Sequence, residues 1–366
     1  MLLPLLHDLL VRFVYPVQTK NKPWFSSYPQ GVPRNLKYPE VPLHAILEKT
    51  AKEHPEKTAL TYFKTSITYA ELDSLSSRFA AALATLGVQK NDRVAIFLPN
   101  IPQFVIAYYG VLKAGAVLTT ISPLHKEREV AYQLRDSEAE TIVALDTLYP
   151  IVEKVWLKTK LKNAVVTRLE EYASKNPVAS RKIQQAPNVY FFQDLLKETA
   201  KPPHVRINSH DDLAALQYTG GTTGTAKGAM LTHANLVSNA VAFAAWIRGA
   251  SADTFLTALP LFHIYGMTTS LNVPVSLAAE MVLLPKFEPV AVLETIQRHR
   301  VTVFCGVPTM YSILLANPEL GKFDLTSIRV CISGASPLPP QVQKQFMEAA
   351  KGGFELTSLY VHKTRN

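Results

Sequence analysis

"RVAIFLPNIPQFVIAYYGVLKAGAVLTTIS", residues 93–122, contains the pattern that decides the fold. An apolar run rich in β-branched residues is followed by a helical segment, and a second apolar run comes directly after it. Asn100 fits the N-cap of this helix, and Pro102 lies in its first turn. Near-continuous apolar strands that alternate with helices indicate a parallel sheet covered on both faces.

The same alternation continues on both sides of this segment. A helix is predicted over residues 68–87, where Thr68 and Glu71 form a capping box and Gly87 ends the helix. Two later helices are predicted at 289–300 and 339–353. The remaining strand candidates are 141–146, 214–219, 254–260, 280–285, 301–308 and 329–334. These elements suffice for two sheets, and we predict an α/β fold with two parallel-sheet αβ subdomains.

Polar stretches suggest how the chain divides into domains. Residues 172–190 look like an excursion, and residues 201–212, "KPPHVRINSHDD", look like a linker. We predict an N-terminal apolar helix or tail at 1–20, a first αβ subdomain with the polar excursion at 21–200, a second αβ subdomain at 201–353 and a divergent tail at 354–366.

Composition limits the classes of function. The chain has 366 residues, 48% of them hydrophobic and 18% charged, and a net charge of +9, as expected of a globular protein that binds anionic small molecules or an anionic membrane surface. Nucleic-acid binding is disfavoured because the basic residues are scattered and are not interleaved with aromatic ones. Cys305 and Cys331 lie in apolar runs and are predicted to be buried, reduced thiols, which favours a cytoplasmic location.

The first 16 residues, "MLLPLLHDLLVRFVYP", are apolar but are shorter than the roughly 20 residues that span a bilayer. Their leucines fall on one helical stripe, whereas Asp8 and Arg12 fall on the other. A helix lying on a membrane surface and a terminal helix packed on its own protein, or a disordered tail, remain alternative interpretations.

Residues 218–233, "YTGGTTGTAKGAMLTH", follow a predicted strand and favour neither a helix nor a well-packed strand. Backbone N–H groups can converge at Gly220, Gly221 and Gly224, and hydroxyl donors come from Thr222, Thr223 and Thr225. Lys227 adds a positive charge. This is not a Walker A loop, because the lysine lies between alanine and glycine. The alternative is a flexible surface loop, but the combination favours a polyphosphate site. The candidate nucleotide- and phosphate-binding residues here are Tyr218, Thr219, Gly220, Gly221, Thr222, Thr223, Gly224, Thr225, Lys227 and Gly228.

Four ordered segments resemble the adenylate-forming (AMP-binding) superfamily, which includes acyl-CoA synthetases, luciferases and peptide-synthetase adenylation domains. They are residues 218–233, "LPLFHIYGM" (259–267), "GVPTMY" (306–311) and "SGASPLP" (333–339). Within the superfamily the chain is most similar to the long-chain fatty acid–CoA ligases, through "NKPWFSSYP" (21–29), "LQYTGGTTG" (216–224) and "VLLPKFEP" (282–289). The resemblance implies the two αβ subdomains of such an enzyme's N-terminal domain.

The resemblance also implies the chemistry: a carboxylate attacks the α-phosphate of ATP, and the thiol of coenzyme A then takes the acyl group from the adenylate. Lys227 is expected to contact phosphate, and Thr222 is expected to help hold Mg²⁺. His263 is expected to lie between the adenylate and the acyl channel, although a hydrogen-bonded buried histidine is the alternative for this residue. An approach to the adenine is expected from Gly334, Ala335 and Ser336, and the acyl pocket is expected to include His263, Tyr265, Gly266, Gly306, Val307, Pro308 and Tyr311.

The last residues, "GGFELTSLYVHKTRN" (352–366), depart from the family pattern. The family continues with a Tyr-Gly-Leu/Met-Thr-Glu segment, an aspartate that holds the ribose and a small C-terminal domain with a lysine needed for adenylation. Tyr360 falls near the position of the family tyrosine, but the glycine, threonine and glutamate do not follow it. We therefore expect a C-terminally truncated chain, lacking the end of the large domain and the small C-terminal domain, which binds nucleotide weakly and turns over slowly.

Three functions remain open from the sequence. The first is ATP-dependent activation of a long-chain fatty acid, with ATP, Mg²⁺ and coenzyme A. The second is adenylation of another carboxylic acid, such as an aryl or medium-chain acid. The third is a non-catalytic nucleotide-binding fragment. No pattern in the sequence indicates the acyl chain length or the oligomeric state.

Overall fold

Parallel strands and covering helices make up most of the computed structural model, which describes residues 22–173, 186–197, 201–219, 225–350 and 355–358. The strands form two seven-stranded sheets, and both are mostly parallel. The predicted α/β fold class with two sheets is therefore confirmed, and so are all eight strands expected from apolar runs. The strands are β1 (Thr58–Tyr62), β2 (Thr65–Thr68), β3 (Arg93–Phe97), β4 (Val117–Thr120), β5 (Thr141–Leu145), β6 (Asn163–Thr167), β7 (Val189–Phe191), β8 (Leu213–Thr219), β9 (Lys227–Thr232), β10 (Thr254–Thr257), β11 (Glu280–Leu283), β12 (Val303–Gly306), β13 (Val330–Ser333) and β14 (Glu355–Ser358).

The helices connect successive strands and cover the sheets. The helix predicted at 68–87 has the capping box at Thr68 and Glu71, and the chain turns away at Gly87, whose φ is +87°. The helices are α1 (Leu43–Glu53), α2 (Tyr69–Thr85), α3 (Pro102–Lys113), α4 (Glu127–Ser137), α5 (Tyr149–Val155), α6 (Phe192–Leu195), α7 (His233–Trp246), α8 (Ile264–Met267), α9 (Val273–Leu277), α10 (Pro289–His299), α11 (Pro308–Leu315) and α12 (Pro340–Ala349), with a π-helix at Thr268–Asn272.

The first sheet has the strand order β7-β6-β5-β3-β4-β8-β9, in which β9 alone runs antiparallel to its neighbour. The second sheet has the order β14-β13-β12-β10-β11-β1-β2, in which β2 alone is antiparallel. The sheets cross the boundary predicted at residue 200: β8 and β9 belong to the first sheet, and β1 and β2 belong to the second. The division into subdomains at that residue stays a prediction.

Helix α3 explains why the sequence at 93–122 is so apolar. Every residue of this helix is buried, and the hydrophobic cluster around it includes Ile96 from the first sheet and Met281 from the second. Gly110 allows α2 to approach, since a Cβ at that position would lie 2.7 Å from the Phe79 ring. The helix thus packs between elements of both sheets and ties them into one core.

The parallel strands give each sheet two different edges. All strands of a parallel sheet begin on one side of it, which we call the amino edge, and end on the opposite side, which we call the carboxyl edge. Both terms refer to the strand ends and not to the outermost strands. Ligands of open α/β sheets bind beyond the carboxyl ends of the strands, and the three sequence motifs at 218–233, 259–267 and 333–339 all begin at or follow such ends.

One local prediction was wrong, and a second needs refinement. The N-cap of α3 is Ile101 and not Asn100, because the Asn100 side chain is used for contacts with the second sheet. Residues 227–232 do form a strand, although the composition of the segment disfavours one. This strand lies at the end of the sheet and keeps Met230 67% exposed, so it is not a well-packed strand.

Both cysteines are buried free thiols, as predicted. Burial raises the pKa of the Cys305 thiol to about 12, and it also raises the pKa of Cys331. Neither thiol is therefore a candidate nucleophile at neutral pH.

Residues 22–37 belong to a separate short unit. It contains a 3₁₀ helix, Pro23–Ser27, in which the Phe25 ring packs edge-on against Trp24 and Tyr28. The cations of Lys22 and Arg34 lie 5.2 and 5.6 Å from the centre of the same ring.

Among the described residues, the helices are too short or too polar to cross a membrane. The predicted apolar helix at 1–16 lies outside those residues, and its contact with a membrane surface stays a prediction.

Candidate active site

The glycine- and threonine-rich segment connects two paired strands. Its flanking residues pair across the β8–β9 ladder, Tyr218 opposite Gly228 and Thr219 opposite Lys227. Lys227 and Thr225 are exposed, and Lys227 takes part in none of the ion pairs found in the described part of the chain. The predicted phosphate-binding residues Gly220, Gly221, Thr222, Thr223 and Gly224 lie outside the described residues.

Helix α4 contacts both sides of this hairpin. The Tyr132 hydroxyl donates to the carbonyl of Ala226 at 2.8 Å, and the Tyr218 hydroxyl donates to the Asp136 carboxylate. Burial, followed by the Asp136 bond, raises the pKa of Tyr218. Gly228 is needed on the opposite strand, since a Cβ there would lie 3.2 Å from the Tyr218 ring.

Polar side chains at the carboxyl edge of the first sheet hold the segment 259–267. The Phe262 carbonyl accepts from Thr120 Oγ1 at 2.7 Å and from Gln217 Nε2 at 3.1 Å. Asn100 accepts from the Leu261 N–H at 2.8 Å and donates to the carbonyl of Thr257, the last residue of β10, and to that of Leu259 just beyond it. These bonds place His263 next to the strand end that leads into the hairpin.

His263 begins a short helix at this edge. Its Nδ1 accepts the Tyr265 N–H at 3.2 Å and caps α8, so the neutral ring carries its proton on Nε2. The ring is exposed at the rim, but the surrounding protein removes part of its hydration and lowers the pKa of the imidazole. The alternative of a fully buried histidine is therefore excluded by its exposure.

The segment after His263 contacts the turn at 333–339. The Tyr265 hydroxyl donates to the Ile332 carbonyl at 3.1 Å, and its ring occupies the space that a side chain at Gly334 would need, 2.6 Å from a Cβ there. Gly266 is equally constrained, since its Cβ would lie 2.3 Å from the Pro260 carbonyl oxygen. Gly334 therefore permits close packing of the two motifs, whereas Gly266 permits the tight turn within residues 259–267.

The turn at 333–339 holds Ala335 at a φ of +68°, a left-handed conformation that is uncommon for a residue other than glycine. Ala335 and Ser336 are exposed beyond the end of β13. Seven other non-glycine residues among those described also have a positive φ, and the approach of this turn to a nucleotide stays a prediction.

Tyr311 lies deeper than a pocket lining would require. It is fully buried, and its hydroxyl donates to the Phe304 and Ile332 carbonyls at 3.1 and 3.0 Å, which joins β12 to β13. A Cβ at Gly306 would lie 3.1 Å from the Tyr311 ring, so this ring fills the space beside the glycine. Val307 and Pro308 are partly exposed at the start of α11.

Contacts thus link the three motifs one after another, from the hairpin to residues 259–267 and from there to the turn at 333–339. Gln217, which directly precedes Tyr218 of the hairpin, donates a hydrogen bond to the Phe262 carbonyl. Tyr265, two residues after His263, contacts the turn at Gly334. The sequence predicted the motifs, but it missed Asn100, Thr120 and Gln217 as the residues that connect them. Their signal was present: polar side chains at or just beyond the carboxyl ends of buried strands.

Two further observations limit the site. The described residues include no group of three or more histidine, cysteine, aspartate or glutamate side chains that could hold a metal ion, and Thr222 lies outside them. A cavity of about 240 Å³ lies at the opposite, amino edge of the first sheet. Its charged groups already have partners: Lys162 pairs with Glu140 at 2.7 Å, Arg93 pairs with Glu138 at 3.3 Å, and Asp92 accepts the Gln89 N–H at 2.8 Å. The cavity therefore carries no candidate function.

The fold and the linked motifs define an adenylate-forming domain, and comparison with known proteins agrees. The AMP-binding enzyme family model matches residues 47–360. A long-chain-fatty-acid–CoA ligase of Bacillus subtilis is 39% identical over 346 residues, which cover 91% of this chain and 62% of that protein. The chain belongs to the AMP-binding enzyme family, and long-chain-fatty-acid–CoA ligases are among the proteins that it is similar to.

Solved structures show the same fold. A long-chain-fatty-acid-CoA ligase from Archaeoglobus fulgidus has a TM-score of 0.79 and 25% identity, covering 92% of this chain and 66% of that one. A benzoate CoA ligase from Burkholderia xenovorans has a TM-score of 0.76 and 27% identity, covering 88% and 61%. The chain spans 61–62% of the length of the curated long-chain ligases that it matches.

Proposed function

We propose that this chain takes part in the ATP-dependent activation of a long-chain fatty acid, first to the acyl-adenylate and then to acyl-CoA. Thr120 and Gln217 of the first sheet both bond the Phe262 carbonyl, which places His263 at the edge where the Lys227 hairpin begins. This linkage is the observation that carries the proposal. The relatives named above, long-chain ligases by their names, support the choice of acid.

The first step brings together two anions. A carboxylate oxygen of the acid attacks the α-phosphorus of ATP, the bond to the β-phosphate breaks, and pyrophosphate leaves. Positive charge and oriented N–H groups are needed to offset the repulsion. Lys227, exposed and without an ionic partner in the described part of the chain, is suited to supply that charge.

The other predicted residues take complementary roles in the proposal. Backbone N–H groups and hydroxyls at 218–225 bind the phosphates, and Gly334, Ala335 and Ser336 approach the adenine. His263 lies between the nucleotide and the acid, where its neutral ring presents Nε2–H as a donor. In the second step the coenzyme A thiolate attacks the acyl carbon, and AMP leaves.

Mg²⁺ enters this proposal with ATP. It is commonly held by phosphate oxygens, water and only one or two protein ligands, so a dedicated protein cage is not required. Thr222 stays a predicted ligand.

Activation of an aryl acid is the second candidate. The structural likeness to the benzoate CoA ligase favours it, and so does the Tyr311 ring, which fills the space beside Gly306 and would shorten a channel there. We prefer the long-chain acid because a relative at 39% identity is named for it.

Non-reactive adenylate analogues test the proposal without depending on turnover. Calorimetric titration of the purified 366-residue chain with palmitoyl- and benzoyl-sulfamoyl adenosine should give tighter binding of the palmitoyl compound, by about tenfold or more, as expected for burial of a longer chain. Tighter binding of the benzoyl compound would establish the aryl alternative. Failure of both analogues and of Mg·ATP to bind would reject adenylate chemistry for this chain.

A further inference from the structure

Helix α4 supports the hairpin at two points that lie one helical turn apart. Tyr132 donates from its hydroxyl to the Ala226 carbonyl at 2.8 Å, and Asp136 accepts from the Tyr218 hydroxyl. Residues four apart on a helix face the same side, so one face of α4 contacts both strands of the hairpin. We call Tyr132 and Asp136 the hairpin brace.

The helix that carries the brace is firmly attached to the first sheet. Gln133 Nε2 donates to Thr119 Oγ1 at 3.0 Å and to the Thr120 carbonyl at 2.9 Å, and both acceptors lie at the carboxyl end of β4. Val130 and Leu134 are fully buried on the inner face of the helix. The brace therefore projects from a fixed support.

The hairpin, by contrast, has little other support. Strand β9 is the last strand of its sheet in the described part of the chain and pairs with β8 alone. Ala226 directly precedes Lys227, so the bond from Tyr132 fixes the backbone at the residue that enters β9. Tyr218 lies opposite Gly228 and packs its ring against it, so Asp136 fixes the other strand at the same level.

We propose that Tyr132 and Asp136 are positioning residues, which hold the hairpin so that Lys227 meets the phosphates of ATP. The inference rests on the proposed function. Neither residue is required to touch the nucleotide. Tyr132 acts through Ala226, and Asp136 acts through Tyr218.

Substitutions that remove single polar groups separate positioning from general stability. Tyr132→Phe removes only the hydroxyl that reaches Ala226, and Asp136→Ala removes the acceptor of Tyr218. Asp136→Asn retains an acceptor oxygen. The matched control is Tyr62→Phe, which removes another partly buried bond from a tyrosine hydroxyl to a backbone carbonyl, that of Leu169 at 3.3 Å, on the second sheet.

Mg·ATP affinity, measured by calorimetric titration of the full chain, is the primary readout, with the thermal midpoint of each variant measured beside it. Loss of one hydrogen bond that positions the hairpin should weaken Mg·ATP binding by about threefold to tenfold in Tyr132→Phe and Asp136→Ala. Asp136→Asn should bind within about twofold of the wild type, because the acceptor is retained. Tyr62→Phe should change the thermal midpoint without changing the affinity.

The possible outcomes are distinguishable. If Tyr132→Phe and Asp136→Ala lower the thermal midpoint but bind Mg·ATP as the wild type does, the brace is merely structural and the inference is overturned. Equal weakening in Tyr62→Phe would overturn it as well. If the wild-type chain itself binds no Mg·ATP, the proposed function fails, and the positioning role fails with it.

Discussion

The amino and carboxyl edges of the two sheets use polar side chains in opposite ways. At the amino edge, charges are paired: Arg329 with Asp253, Lys90 with Asp212 and Arg93 with Glu138. At the carboxyl edge, the contacts that join the two sheets come from neutral side chains, while Lys227 is left without an ionic partner in the described residues. Ion pairs also follow strand ends at the carboxyl edge, Arg168 with Glu171 and Lys286 with Glu288, so the contrast is confined to Lys227 and the contacts between the sheets. The paired charges at the amino edge serve stability, whereas Lys227 stays available for a ligand.

The largest expected effect tests the amino edge through Arg329→Met. Asp253 is 5% exposed and receives bonds from Arg329, from Thr302 Oγ1 at 2.7 Å and from the Ala250 N–H at 2.8 Å. Burial alone would raise the pKa of this carboxyl, but these bonds outweigh burial and lower it. Removing the guanidinium leaves a buried, under-compensated charge and should lower the free energy of unfolding by about 3 kcal/mol.

Urea denaturation measures this loss, and Arg300→Met provides the control. Arg300 pairs with Asp324 at 2.8 Å, but both side chains are about half exposed, so its loss should cost less than about 1 kcal/mol. Mg·ATP affinity of the folded protein should not change in either variant. A large loss of Mg·ATP affinity in Arg329→Met would show that the two edges do not have separate roles.

Lys227→Met tests the carboxyl edge. The side chain is exposed, so stability should change little, but Mg·ATP binding or adenylate formation should fall by about 100-fold because a positioned charge is lost. Lys52→Met, on the exposed face of α1, is the matched control and should behave as the wild type. A Lys227→Met variant with full affinity would remove this residue from the proposed site.

Acid pH should act through a buried histidine pair at the amino edge, where β9 ends. Burial first, and then the charges of His233 and Lys113, lower the pKa of His44 to about 3. Burial, with Lys90 adding to it and Asp212 opposing it, lowers the pKa of His233 to about 4. The unfolded chain takes up these protons near pH 6.5, and the folded chain does not until about pH 4. The free energy of unfolding should therefore fall as pH drops below 6.5, by up to about 1.4 kcal/mol per pH unit for each histidine.

Denaturation of the wild type and of His44→Phe at pH 7, 6 and 5 checks this dependence. The variant retains His233, whose Nδ1 accepts the Leu43 N–H at 3.1 Å, and loses one titrating group. Its stability should depend on pH about half as steeply as that of the wild type. An unchanged slope would mean that other groups cause the acid sensitivity.

Thr120→Val should have the smallest effect and tests the neutral contacts at the carboxyl edge. It removes one of the two donors to the Phe262 carbonyl, and Gln217 still occupies the other position. We expect a loss of about 1 kcal/mol in stability and about threefold weaker binding of the palmitoyl-adenylate analogue. The control is Thr295→Val, which removes a comparable bond to the Ala291 carbonyl within α10.

Much of the fold could be predicted because its strands are buried on both faces. Such strands appear as continuous apolar runs, and all eight runs became strands. The missed strands of the described chain all lie in the outer two positions at either end of a sheet. No distinct boundary in the sequence marks the strands Asn163–Thr167 and Val189–Phe191. The strand Lys227–Thr232 contains glycine and lysine because one of its edges is exposed to solvent.

The site was predicted less completely, for a physical reason. A motif is local in sequence, and glycine, threonine and lysine at 218–228 show their chemistry without knowledge of the fold. The residues that position the motif act across long separations: Tyr132 is 94 residues from Ala226, and Thr120 is 142 residues from Phe262. A helical tyrosine or a strand-end threonine does not show its partner until the sheets are assembled.

The exposed edge of β9 has a consequence beyond ligand binding. An unpaired strand edge is a template for association with another copy of the chain, and a lysine on that edge disfavours it through charge repulsion. Lys227 lies on this edge together with the exposed Met230. The charge proposed to bind phosphate therefore also protects the free protein from self-association, so Lys227→Met should aggregate more readily than the wild type at equal concentration.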